Sequence, residues 1–221
     1  MDWRALQLSL ELATLTAALM LPLSVWAGRA LAWGRFRGKS AIEALVALPL
    51  VLPPTVLGFY LLVAFAPTAP FGALVERLSG LRFAFSFEGL LLASVLFNLP
   101  FAIQPAQRAF EAIPAEIREA AWLCGMSPWR ALLRIELPLA WPGLLTALVL
   151  TFAHTLGEFG VVLMVGGNIP DETRTVAIAI YDRVQAFDDR AAGTMSGLLL
   201  AISFVAILLV YWLDRLRRRH G

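Results

Sequence analysis

One cysteine, Cys124, and two histidines, His154 and His220, are all that the sequence holds of the residue types that build disulfides and most transition-metal sites. A lone thiol excludes an internal disulfide, and no Cys/His spacing matches a metal site. Charge is scarce as well: 15% of the residues are charged, where soluble domains carry about 25%. The net charge is only +2 and the arginines are spread over several polar stretches, so no basic face for nucleic acid is present. A phosphate-cradling loop is also missing. Gly38-Lys39-Ser40 has the last three letters of such a loop, but Trp33 stands where its first glycine belongs and no strand precedes it. No Ser/His or Asp/Asp pair stands out at membrane depth, so the chain is not expected to be an enzyme and no catalytic residue is assigned.

What the chain does have is apolar length: 59% of the residues are hydrophobic and the mean hydropathy is +0.74. A helix needs about 20 apolar residues to cross a bilayer core. Five stretches qualify, about 8–31, 41–66, 87–106, 141–165 and 192–213. The expectation is therefore an all-α integral membrane protein, one domain over 1–221, with about five transmembrane helices and its termini on opposite sides.

Counting Lys and Arg in the connections orients it. Arg29, Arg35, Arg37 and Lys39, the stretch with Arg108, Arg118, Arg130 and Arg134, and the tail with Arg215, Arg217, Arg218 and Arg219 put twelve on one side. The other side has six, interleaved with acids. The richer side is expected to be cytoplasmic and the amino terminus periplasmic. Cleavage of the first span as a signal peptide is disfavoured, because Met1-Asp2-Trp3-Arg4 lacks a net positive start and Glu11 interrupts the apolar run.

The cytoplasmic stretch at about 107–138 is a charged island patterned for helices. Pro114 suits a first turn, Glu116 and Glu119 favour a helix start, and Gly125 suits a left-handed stop. Ser127 then caps a second helix that opens on Pro128, and Leu137-Pro138 is expected to end it and turn the chain into span four. Small Ala120 and Ala121 would let this helix-turn-helix knob approach a partner closely, with Arg118 and Glu119 at its rim. An amphipathic loop lying on the lipid surface is the plainer alternative.

Glu119-Ala120-Ala121, Gly125 and Leu137-Pro138 together resemble the coupling loop of ABC importer permeases. Leu48-Pro49-Leu50-Val51-Leu52-Pro53-Pro54-Thr55-Val56-Leu57-Gly58, Thr155-Leu156-Gly157-Glu158-Phe159-Gly160 and Gly167 to Thr175 are similar to the molybdate branch of that family, over nearly the whole chain. Sulfate and thiosulfate permeases share these motifs but usually carry an extra amino-terminal helix, which is not seen here. Asp171 departs from the branch, where glycine is more usual. The resemblance implies a homodimeric permease, two ATP-binding cassette subunits that bind ATP and magnesium and dock on Arg118, Glu119, Ala120, Ala121, Gly125, Leu137 and Pro138, and a periplasmic oxyanion-binding protein. It places the protein in a bacterial inner membrane. No cofactor or metal belongs to this chain, and no carboxy-terminal regulatory domain is expected after Gly221.

Pro49, Pro53 and Pro54 remove backbone donors, which a membrane tolerates only where the freed carbonyls face protein or a watery path. Pro53, Pro54, Thr55, Thr151, Thr155 and Glu158 are therefore the candidate pathway or gate residues, with Asn98 a further donor; a simple packing kink is the alternative. Glu158 would repel a dianion, so pairing with an arginine such as Arg174, or a gate contact, is expected of it. His154, four residues earlier, leaves open a proton-coupled secondary transporter, although buried packing is favoured for this pair.

Overall fold

A computed structural model describes residues 1–218, with side chains through Leu209 and at Trp212. Arg219, and the side chains of Arg215, Arg217 and Arg218 counted on the cytoplasmic side, lie outside the described residues. Among the described residues every regular element is a helix.

The first, α1 (Trp3–Trp33), is capped by Asp2, which accepts from the Ala5 N–H at 2.9 Å. Its inward face is written in small residues, among them Ser9, Ala13, Thr16, Ala17, Ser24 and Gly28. Between helices in lipid the gain comes from close van der Waals approach, and small residues permit it. A Cβ on Gly28 would lie 2.9 Å from Ala106 Cβ in α6 (Leu99–Glu111), and one on Gly143 in α9 (Leu137–Gly157) 2.4 Å from Ala109 Cβ. Helices α1, α6 and α9 thereby form the central trio, closed at one end by a core of Ala106, Phe110, Ile113, Leu132, Ala140 and Leu144.

Two expected spans are not single rods. The stretch 41–66 divides into α2 (Lys39–Val51) and α3 (Pro54–Phe65), which meet at 112°. The cause is Leu52-Pro53-Pro54: residues before proline avoid helical ψ, and both Leu52 (ψ 136°) and Pro53 (ψ 135°) are extended. The stretch 87–106 becomes α5 (Phe87–Phe97) and α6, bent by 42° at Asn98, and α6 runs on to Glu111, taking the first residues of the expected cytoplasmic loop.

Span four also differs from expectation. Leu137-Pro138 does not end a helix. The chain runs helically from α8 (Pro128–Ala131) through a π-helical turn, Leu132–Glu136, into α9, as one 30-residue unit, Pro128–Gly157. The wide turn bonds Leu137 N–H to the Leu132 carbonyl, five residues back, which takes up the register strain that Pro138 imposes on the preceding turn. At its far end α9 stops at Gly157, not near 165, and α10 (Gly160–Gly166) comes next as a separate short helix.

Among the described residues, counting each bent pair as one span gives five by length and composition, and α1, Pro128–Gly157 and the Asp189–Leu209 part of α12 (Asp189–Arg218) are the three that are long and apolar enough alone. Two helices among the described residues fall where none was expected, α4 (Pro70–Ser79) and α11 (Val176–Gln185), whereas α7 (Ala115–Leu123), which begins one residue after Pro114, is the first helix of the expected knob. A second core joins Leu12, Phe65, Leu90, Phe97, Val161, Val165 and Ile178 between α3, α5 and α10.

Candidate functional site

The knob is built by local rules. At the end of α7 Gly125 takes φ +70°, Met126 N–H bonds the Ala121 carbonyl at 3.0 Å, and Gly125 N–H bonds that of Trp122 at 2.9 Å. This is the left-handed stop that its glycine requires. A Cβ on Gly125 would meet no atom within 4 Å, so the need for glycine here is conformational and not a matter of space. Ser127 Oγ accepts from the Arg130 N–H and Pro128 opens α8.

Several knob side chains are placed differently from the expectation. Ala120 and Glu119 are exposed, but Ala121 is buried within the chain itself. Arg118 is not a rim contact: its guanidinium lies 3.6 Å from the ring centre of Trp33, the last residue of α1, and 5.4 Å from that of Trp122. Its Nε is buried with no hydrogen-bond partner, because the indole face replaces one. Burial lowers its pKa from the ordinary value, against Glu136 and with Arg29, and it remains a cation. The outward side of the knob is apolar: Trp122, Leu123 and Trp129 are exposed, Leu123 at 89%. Leu137 is half-buried and Pro138 exposed on the continuous helix.

An ion pair that local sequence patterns do not reveal sits behind the knob. Glu136, the last residue of the π turn and 2% exposed, accepts from Arg29 Nε at 2.6 Å and Arg29 Nη2 at 3.1 Å. One signal was present, since Glu136 lies on an otherwise apolar helical face, but nothing local points to Arg29 on α1.

The helix breaks meet one another. A Cβ on Gly160 would lie 2.7 Å from Pro54 Cβ, and one on Gly58 2.7 Å from Met164 Cβ, so α3 and α10 touch along a glycine seam starting at both breaks. Pro53, Pro54 and Thr55 are exposed there. Glu158 is buried and does not pair with Arg174; its carboxylate accepts from the Val161 N–H at 2.9 Å and so caps α10. Arg174 instead donates to Asn168 Oδ1 at 2.6 Å and lies 3.8 Å from Asp182.

Thr151 and Thr155, expected beside the pathway, are buried inside the chain and belong to the bend of the third span. Asn98 Nδ2 donates to the Ser94 carbonyl at 2.8 Å and to Thr155 Oγ1 at 3.0 Å, and Thr155 donates to the Thr151 carbonyl. His154 is stacked between Phe97 and Phe101, at 4.9 and 3.9 Å, with Nδ1 3.1 Å from Asn98 Oδ1. His154 and Glu158 thus have separate partners, and a hydrogen-bonded relay between them is not formed.

The helical knob thus lies at one end of α1, and the paired helix breaks lie farther along the bundle. Residues 20–219 match the family described as the binding-protein-dependent transport system inner membrane component. The chain belongs to that family. Within it, this permease is 49% identical over 214 residues to the molybdenum transport system permease protein ModB of Azotobacter vinelandii, covering 95% of this chain and 93% of that one. A probable sulfate transport system permease protein, cysT of Zygnema circumcarinatum, is 32% identical over 203 residues, covering 90% of this chain and 70% of the other. A chain from the MetNI methionine ABC transporter, solved in inward facing conformations, has a TM-score of 0.74 at 17% identity, covering 100% of this chain and 96% of that one. That last likeness is one of fold.

Proposed function

We propose that this permease carries molybdate, with tungstate as a near-identical substitute, across a bacterial inner membrane, driven by ATP that separate subunits hydrolyse. The observation that carries the reading is the near-full-length 49% identity to the Azotobacter vinelandii molybdenum permease. The sulfate relative lies at 32% and is longer, which supports molybdate over sulfate as cargo.

Two copies form the pathway, a periplasmic binding protein delivers the oxyanion, and two ATPase chains supply ATP and magnesium chemistry while this chain holds no cofactor. The knob is the docking surface: Glu119, Ala120 and the exposed Trp122 and Leu123 form its outward face, while Ala121, Arg118 and Gly125 hold its shape. The amino terminus is periplasmic and the knob cytoplasmic, as the twelve-to-six arginine and lysine bias supports. Pro53, Pro54 and Thr55, exposed where two breaks meet, are the pathway segment; Thr151, Thr155 and Glu158 support it from inside.

The test is uptake in cells lacking their own molybdate permease, with this chain and its ATPase supplied. Labelled molybdate should be displaced by molybdate and tungstate and little by equimolar sulfate. Preferential displacement by sulfate would overturn the cargo, and uptake without the ATPase would return the proton-coupled alternative.

A further inference from the structure

Beyond the apolar core that Ile113 and Leu132 share with Ala106 and Phe110, two charged side chains of the knob attach it to α1 at two points. At one, Arg118 of α7 lies flat on Trp33, whose ring in turn packs edge-on against Phe110 of α6 at 5.6 Å. At the other, Glu136 of the π turn is held by two hydrogen bonds from Arg29, one helical turn before Trp33. The Arg29 guanidinium is itself 5.2 Å from the Trp33 ring, so the two attachments share one indole.

A π turn inserts an extra residue, which rotates the downstream helix by about 100° relative to an unbroken α-helix. Glu136 is the residue at which that register changes and is almost wholly buried, so its charge is balanced by Arg29 rather than by water. A buried carboxylate deprived of its partner is strongly unfavourable. The knob and α1 must therefore move together or the pair must break.

We propose that Arg29 and Glu136, with Trp33 and Arg118, form a clasp that passes displacement of the knob to α1 and α9 as one body. Arg29 and Glu136 are positioning residues for ATP-driven transport: they touch neither cargo nor nucleotide. The proposal rests on the knob being the ATPase docking surface. It adds a load path that the Glu-Ala-Ala, glycine and Leu-Pro positions do not contain.

The test is the complete transporter, with its ATPase chains and loaded binding protein, in liposomes, read as molybdate ions moved per ATP hydrolysed. Glu136→Gln should still assemble with the ATPase, while ions moved per ATP fall by about fivefold or more. If that variant does not fold, Arg29→Gln with Glu136→Gln, which leaves no buried charge unpaired, is measured in its place and should show the same loss. A wild-type ratio in either folded variant overturns the clasp. The unaltered chain separates this from failure of the docking reading: if it assembles with no ATPase, the docking surface is wrong, whereas normal coupling in both chains removes the clasp alone.

Discussion

Asp171 has φ +67°, in the left-handed region where glycine is unstrained and aspartate is better tolerated than most residues. Resemblance to the molybdate branch leads one to expect glycine there, and the backbone gives the reason. The turn is held by Ile169, whose carbonyl accepts from the N–H groups of Thr173 and Arg174, each at 3.0 Å. The departure therefore keeps the turn and adds an exposed charge. Asp171→Val should lower stability by about 1–2 kcal/mol, because a β-branched side chain collides with its own backbone at that φ. Asp171→Gly should not lower it. Thermal unfolding in detergent measures both, and an equal loss in the glycine variant would mean that the carboxylate, not the backbone, matters. Gly125 obeys the same rule, and it is legible in the sequence because a helix stop is local. Arg118 is not: its stacking on Trp33 joins two helices far apart in sequence, and no local pattern encodes the pairing.

The helices show where apolar length and proline count stop being sufficient. Three prolines announce a disturbance in span two, but not its 112° angle, which depends on α3 turning away to pack against α10. The bend at Asn98 has Pro100 as a local sign, but its hydrogen bond to Thr155 comes from another helix. Helices α4 and α11 escape a search for spans, which passes over ten-residue helices, although α4 has Pro70 at its first turn and Gly80 in a left-handed stop. The glycine seam yields an element-scale prediction. Gly160→Leu drives a side chain into Pro54 and should destabilise the α3–α10 contact by about 1–3 kcal/mol. Uptake should fall while the ATPase still co-purifies, because the knob lies at the other end of α9. Undiminished uptake by a folded Gly160→Leu chain would remove the seam from the pathway.

At the scale of the molecule, the two loop sets gather at opposite ends of α1. Trp33 at one end lies under Arg118, and Ser9 near the other accepts from the Val176 N–H at 2.8 Å. Arg4 and Glu11 share a cavity there with Glu88, Asp171 and Glu172. The lone thiol makes orientation measurable, because Cys124 is exposed at the end of the knob. A membrane-impermeant maleimide should label Cys124 in inside-out vesicles and not in intact cells, and bound ATPase should protect it; the reverse pattern would invert the topology. The sequence by itself determined the solvent, the helical class, the sidedness bias and the knob's Gly125 stop and Ser127 cap, because hydropathy, charge counts, caps and glycine stops act within a few residues. Only the tertiary structure decided how far the spans bend, that Thr151 and Thr155 face inward, and that Arg29 and Arg118 are bound up in α1 contacts. Those depend on which helices come within van der Waals reach, and packing and ion pairing between distant segments leave no period in the chain that would announce them.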